Sequence, residues 1–261
     1  MFPMENGMIK NNLTSFFEEF LYKESLFLDR SALLPSFVPK SVHHRDGEIN
    51  KVAAILAPAL KQEKPSNLFV YGNTGTGKTL TIKHVTDNME NIAKNKKIPL
   101  KIVYVNCKLK RVADTEYRLM AQLSSFFGKA IPSTGLPTDD VYKAFYGAVE
   151  KEKCVVIVVL DEIDQLIRRA GDGVLYNLTR INEELKNSQI SLIGISNDTT
   201  FIENIDTRVK SSLSEEDILF PPYNALEMQD ILKERASKAF KENIIEQGVI
   251  EKCAAYAARE Y

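Results

Sequence analysis

An α/β fold, with a parallel sheet covered by helices on both faces, is predicted by three observations on this 261-residue chain. First, five short runs are apolar throughout instead of alternating: "NLFVYG", "KIVYVN", "VVIVVLDE", "SLIGIS" and "DILF". Such runs suit strands buried on both faces, because a strand with one wet face alternates. Second, stretches with helical spacing separate the runs, near 78–93, 115–127, 138–150 and 174–187. Parallel strands need such crossovers to return along a face. Third, the glycine-rich segment "GNTGTGKT" stands between the first run and the first helical stretch.

Taken in order, residues 1–37 mix aromatics with charges and lead into the proline-bearing "PSFVPK", which reads as an irregular leader. A helical period begins at Asp46, with Ile49, Val52, Ala53, Leu56 and Leu60 on one face and Pro58 as a kink. The strand and helix alternation then runs to "FPPY" at 220–223. Beyond it only helical patterns remain, at 225–242 and 248–260. The predicted organisation is a leader over 1–37, an α/β domain over 38–223 and part of an all-helical lid over 224–261. Internal repeats and low-complexity tracts are absent from the sequence.

Bulk composition narrows the function classes. Hydrophobic residues at 44% and charged residues at 26% are ordinary for a globular chain. No run approaches the roughly 18 apolar residues of a membrane helix, and "MFPMENGMIKNNLTSFFEEF" lacks the apolar core of a signal peptide. The three cysteines, Cys107, Cys154 and Cys253, lie far apart and only three histidines accompany them. That argues against a metal or disulfide framework and for buried thiols. A net charge of −1 is no general attraction for nucleic acid, so any DNA contact must come from local features.

"GNTGTGKT" fits GxxxxGK[ST], with Gly72, Asn73, Thr74, Gly75, Thr76, Gly77, Lys78 and Thr79 in place and Leu80 following. Glycines there let successive N–H groups turn toward phosphates at the positive end of the next helix. Lys78 is expected to reach the terminal phosphates and Thr79 to offer its hydroxyl to Mg²⁺. A plain glycine-rich turn is the ordinary alternative, but such a turn does not require a strand before it and a helix after it.

"VVIVVLDEID" supplies the carboxylates. Asp161 ends a buried strand, where it is expected to hold Mg²⁺ through water, and Glu162 follows as the base for an attacking water. A solvated strand-end pair is the bland alternative. No NKxD base-reading motif is present, which argues for ATP over GTP. Asn197 in "SLIGISND" stands at another strand tip, near a γ-phosphate or simply in a turn. Arg208 in "DTRVKSSL" is a candidate arginine finger, or a solvated side chain.

Together these segments resemble the AAA+ ATPases, and more narrowly the archaeal replication initiators similar to both an origin-recognition-complex subunit and the cell-division-cycle loader. The resemblance rests on "SFVPKSVHHRDGEINKVAAILAPAL", "PSNLFVYGNTGTGKT", "VVLDEIDQL", "YNLTRIN", "ISND" and "DTRVKSSLSEEDILFPPYNALEMQDILKERASKAF". It extends from about Asp29 to the end of the chain.

The resemblance implies an AAA+ fold with a five-stranded parallel sheet, ATP or ADP with Mg²⁺ as cofactors, and slow, switch-like hydrolysis. It also implies that Val42, His44 and Arg45 lie near the base, although a polar helix start capped by Asp46 reads equally well. Tyr223 and Arg235 are implied nucleotide contacts, with hinge packing the alternative for Tyr223. The loop in "FFGKAIPSTGLPTDDVYKAF" resembles the family's insertion toward the DNA minor groove. Ile131 and Pro132 would form its apolar tip and Lys129 would serve a phosphate; an ordinary helix–helix connection is the alternative.

The implied function is origin recognition and loading of the replicative helicase, in the cytoplasm with the nucleoid. The implied partners are duplex origin DNA, the helicase and other initiator subunits, with no membrane. A clamp-loader subunit or a remodeller of protein complexes is the alternative, and a binding module with a degenerate ATPase is a third reading. One departure stands out. The chain stops at "AAYAAREY", where the family continues with a lid arginine and a winged-helix domain.

Overall fold

Five strands form one parallel sheet: β1 (Leu68–Tyr71), β2 (Leu100–Asn106), β3 (Val155–Asp161), β4 (Gln189–Ser196) and β5 (Glu216–Leu219). Their order across the sheet is β2-β3-β4-β1-β5. The computed structural model describes residues 6–259 except 35, 36, 40, 110–114, 133, 152, 204 and 214, and leaves out the side chains of 6–12 and 202. The helices are α1 (Asn6–Tyr22), α2 (Asp46–Leu56), α3 (Lys78–Lys96), α4 (Glu116–Phe126) and α5 (Thr138–Val149). They continue with α6 (Ile163–Ala170), α7 (Gly173–Thr179), α8 (Thr207–Leu213), α9 (Ala225–Ala239) and α10 (Val249–Ala257).

Register explains the unbroken apolar runs. Along β3, Val156, Val158 and Leu160 enter a core shared with Leu119, Phe145, Leu175 and Val209 from α4, α5, α7 and α8. The alternate residues Val155, Ile157 and Val159 enter a second core with Val52 and Leu56 of α2 and Ile82 and Val85 of α3. Each fully buried side chain of this size contributes about 1.5–3 kcal/mol of burial free energy. Neither face of the strand can therefore carry an unpaired polar residue until its carboxyl end, where Asp161 stands.

The chain divides into two compact units, one of residues 39–224 and one of residues 1–38 with 225–260. This corrects the irregular leader expected over 1–37. Leu13, Phe16, Phe17, Phe20 and Leu21 recur at i, i+3, i+4, i+7 and i+8, a helical period, and they lie within α1. The prolines at 35 and 39 fall outside it. Downstream, Asp29 accepts a hydrogen bond from the Ser31 amide at 2.8 Å and starts a short 3-10 turn, Arg30–Leu33. The leader also pairs with the lid segment. Leu28 N–H donates to Ala239 O (2.8 Å), Lys241 N–H donates to Leu26 O (3.0 Å), and the Phe27 and Phe240 rings lie 5.0 Å apart.

Other boundaries shift for local reasons. The helix expected to kink at Pro58 ends at Leu56, and a 3-10 turn over Ala57–Lys61 takes the proline near its start. The single helix expected over 174–187 is α7 followed by a 3-10 turn at Ile181–Glu183. Asn182 breaks it by bonding the backbone of β4, donating to Ile190 O (2.8 Å) and accepting from Ile190 N–H (2.7 Å). Two short helices, α6 and α8, follow strands β3 and β4 unforeseen. Cys107 and Cys154 are buried as expected, whereas Cys253 is exposed. Among the described residues no helix is long and apolar enough to cross a membrane.

Candidate nucleotide site

The order β2-β3-β4-β1-β5 puts the end of β4 between the ends of β1 and β3. Ser196 pairs with Tyr71 on one side, and Ile195 pairs with Asp161 on the other. The glycine-rich loop after β1, Asp161 at the end of β3 and Asn197 after β4 therefore emerge side by side. This is the carboxyl edge of a parallel sheet, where α/β folds bind ligands.

The loop turns because two of its glycines have no room to be anything else. Gly72 has φ +147°, and a Cβ there would lie 2.4 Å from Phe220 O. Gly77 has φ +89°, and a Cβ there would lie 2.6 Å from the Tyr223 phenol oxygen. The segment 220–223 thus backs the loop, and Tyr223 is buried against it. Thr74 and Gly75 are exposed at the tip, while Asn73 and Leu80 are half-buried.

Lys78 is 4% exposed and donates to Gly72 O (2.8 Å) and Asn73 O (2.7 Å). Burial lowers its pKa to about 8, against the pull of Asp161 and Asp164. Thr79 Oγ1 lies 3.2 Å and 3.1 Å from the two Asp161 oxygens. A hydroxyl and a carboxylate converging in this way are the hard oxygen donors that suit Mg²⁺, so the residues present fit that ion.

Asp161 is buried, and three more groups surround it. Its Oδ1 accepts the Glu162 amide at 3.0 Å, its Oδ2 accepts the Tyr104 hydroxyl, and Cys107 N–H donates to its carbonyl at 2.8 Å. Burial beside these acids pushes the Cys107 thiol up to about 12. Glu162 follows in the left-handed region, φ +55°, a conformation that costs a non-glycine residue roughly 1–3 kcal/mol. Its carboxylate is 3.4 Å from the Lys108 ammonium. Asp164, buried one turn on, accepts from Ser196 at 3.4 Å. Asn197 itself is exposed.

Arg45 is the surprise among the expected base neighbours. It is 3% exposed, donates through Nε to Thr76 O (2.9 Å) and through Nη2 to Pro221 O (2.5 Å), and stacks 3.9 Å from the Tyr223 ring centroid. It ties the glycine-rich loop to the segment behind it. Val42 is half-buried, and His44 is exposed with φ +55°.

Five predicted residues stand elsewhere. Arg208, on α8, is exposed and grips Asp206 through Nε (3.1 Å) and Nη2 (3.0 Å), with its guanidinium 5.2 Å from the Tyr176 ring centroid. That contact holds the Asp206 carboxyl down at about 2. Arg235 belongs to the other unit, where it lies 5.7 Å from the Phe37 ring centroid. Ile131 departs from the expected exposed tip: it packs half-buried against the core, while Tyr117 donates to Pro132 O at 2.8 Å. A γ-branched or β-branched apolar side chain finds more burial in the core than in water. Lys129, Pro132 and Leu136 are among the exposed residues of that loop.

Sequence reasoning missed Tyr104, Lys108, Asp164 and Asp206. A signal existed for Tyr104, because a tyrosine in an apolar strand needs a partner for its hydroxyl.

Comparison with known proteins agrees with this geometry. The AAA domain family model matches residues 61–198, and the Cdc6 AAA+ ATPase-type lid domain model matches residues 229–261. The ORC1-type DNA replication protein of Thermococcus onnurineus is 46% identical over 258 residues, covering 97% of this chain and 61% of that protein. ORC1-type DNA replication protein 1 of Methanosarcina mazei is 46% identical over 255 residues, with 97% and 61% covered. Among solved structures, the Aeropyrum pernix ORC1 protein in complex with DNA superposes with a TM-score of 0.82 at 42% identity, covering 91% of this chain and 61% of that one. The chain thus spans about three-fifths of the length of these relatives. A parallel sheet in the order 2-3-4-1-5, a glycine-rich loop backed by Tyr223, and this similarity along nearly the whole chain have one explanation: the chain belongs to the AAA+ ATPases, in their archaeal replication-initiator family.

Proposed function

We propose that this chain binds and slowly hydrolyses ATP as the switch of a DNA replication initiator, one that recognises origin DNA and helps load the replicative helicase. The observation that carries the reading is the cluster of Lys78, Thr79, Asp161 and Glu162 at adjoining strand ends. Lys78 and the loop amides bind the phosphates, and Asn197 stands beside them at the tip of β4. Thr79 and Asp161 would hold Mg²⁺, which neutralises phosphate charge when bound. Glu162 takes the proton of the attacking water, once Lys108 yields its carboxylate. Arg208, on the surface with Asp206, acts on a neighbouring subunit's nucleotide.

The DNA part of the reading is supported by the name of the relatives and by the DNA complex of the Aeropyrum pernix protein. Lys129 and Pro132 would approach the backbone and groove from the α4–α5 loop, with Ile131 as the buried anchor of that loop. Leu136, 43% exposed, is a further apolar side chain that could reach a groove.

Two measurements test the proposal. Glu162→Gln should keep ATP affinity and lose turnover by about 10²–10⁴-fold, the usual yield of a positioned base; parental turnover would remove Glu162 from this role. Binding of this chain to duplexes with and without an origin sequence should be weak, about 10⁻⁴ to 10⁻⁶ M near physiological salt, and should weaken as salt rises. Leu136→Asp should reduce it further. Absence of any DNA binding would favour a clamp-loader or remodeller role instead.

A further inference from the structure

We propose that Tyr104 is a positioning residue for the Mg²⁺ site, acting through Asp161; the inference rests on the nucleotide reading above. Asn106 pairs with Asp161 in the β2–β3 register, and Tyr104 pairs with Val159. Side chains two residues apart on a strand share a face. Tyr104 therefore lies diagonal to Asp161 on the α3 side of the sheet, at a spacing that a long aromatic side chain bridges. Its hydroxyl donates to Asp161 Oδ2.

The α3 helix closes the arrangement from above. Thr79 and Lys83 are four residues apart and so share a helix face. Thr79 meets both Asp161 oxygens at 3.2 Å and 3.1 Å, while the Lys83 ammonium stands 4.5 Å from the Tyr104 ring centroid. Helix, phenol and carboxylate therefore form one packed row. The phenol turns the carboxylate so that Oδ1 meets the Glu162 amide at 3.0 Å and both oxygens face Thr79. Without it the carboxylate keeps the Glu162 amide and Thr79 but loses its side-chain partner on β2, and its terminal torsion, whose wells are broad, is held less tightly. Partners of this kind orient metal-holding carboxylates and commonly change metal affinity 10–100-fold when removed.

The test compares ATP affinity in saturating Mg²⁺ with ATP affinity in EDTA, by calorimetry on this chain, for parent, Tyr104→Phe and Asp161→Asn. Phenylalanine keeps the ring, its packing and the lysine contact, and removes only the hydroxyl. Tyr104→Phe is expected to lose about tenfold of the Mg²⁺ enhancement, or all of a smaller one, with EDTA affinity and ligand-free melting unchanged. Parental Mg²⁺ enhancement in Tyr104→Phe, with the enhancement lost in Asp161→Asn, overturns this inference alone. Equal losses with and without Mg²⁺ also overturn it, since they make the hydroxyl a structural group. Parental enhancement in Asp161→Asn brings down the underlying site reading together with this one.

Discussion

Arg45 and Arg208 carry the same charge and the same expectation of acting on nucleotide, yet the fold treats them in opposite ways. Arg45 is 3% exposed, spans two backbone carbonyls and stacks on Tyr223. Arg208 has a side chain 71% exposed, gripped by a carboxylate two residues before it and facing Tyr176. A buried guanidinium must satisfy its donors within the protein, so it becomes part of the scaffold. An exposed one keeps water as an alternative partner and can exchange its carboxylate for another anion at little cost. Loss of Arg45 should therefore be felt by the isolated chain, and loss of Arg208 only by an assembly.

Arg45→Ala is expected to show the largest effect, a loss of about 2–4 kcal/mol in unfolding free energy, because Thr76 O loses a charged donor in a buried place and Pro221 O loses one in a partly buried place. Chemical denaturation measures it, and Arg45→Lys should rescue little, since a point charge cannot bridge both carbonyls. A stability within about 0.5 kcal/mol of the parent would make Arg45 a surface residue in all but appearance.

Lys78 sharpens the contrast, being buried like Arg45 but able to lose its proton. Burial lowers its pKa to about 8. As pH rises through that value the ammonium is lost and with it the attraction for phosphate. At pH 9 about one molecule in eleven keeps the charge, so ATP affinity should fall about tenfold between pH 7 and pH 9. A flat profile would mean that the ammonium stays charged throughout. Lys78→Ala should remove the pH dependence and lower affinity about ten- to hundredfold at pH 7.

Arg208→Ala is expected to do least. The isolated chain should keep its ATP affinity within about twofold and its stability within about 0.5 kcal/mol, the range usual for surface changes. Loss of ATP binding by the single chain would place Arg208 on its own nucleotide and erase the distinction between the two arginines.

How far the site was legible depends on whether its parts are local. The loop from Gly72 to Thr79 folds as its own glycines and the flanking strand and helix require, so its pattern sufficed. Asp161 and Glu162 were legible because they break an otherwise unbroken apolar run. Ile131 was misplaced because nothing local distinguishes an apolar residue that tips a loop from one that anchors it. The first helix carried a clear period in Leu13, Phe16, Phe17, Phe20 and Leu21, and prolines break only the turns next to them, so those further along the sequence say nothing against a helix that ends at Tyr22.

The edge strand β5, expected to be buried like the rest, exposes three of its four residues. By itself the sequence determined that five strands alternate with helices, the third of them buried on both faces, that a glycine-rich loop joins the first to a helix, and that an Asp-Glu pair closes the third. Those are statements about neighbours along the chain, where spacing and residue type act directly through strand and helix periods. Only the tertiary structure decided that Tyr104 holds Asp161, that Arg45 reaches Pro221 and that Arg208 rests on Asp206 beneath Tyr176. The first two pairings join residues 57 and 176 positions apart. They depend on strand order and register, and no local pattern encodes which strand will lie beside which.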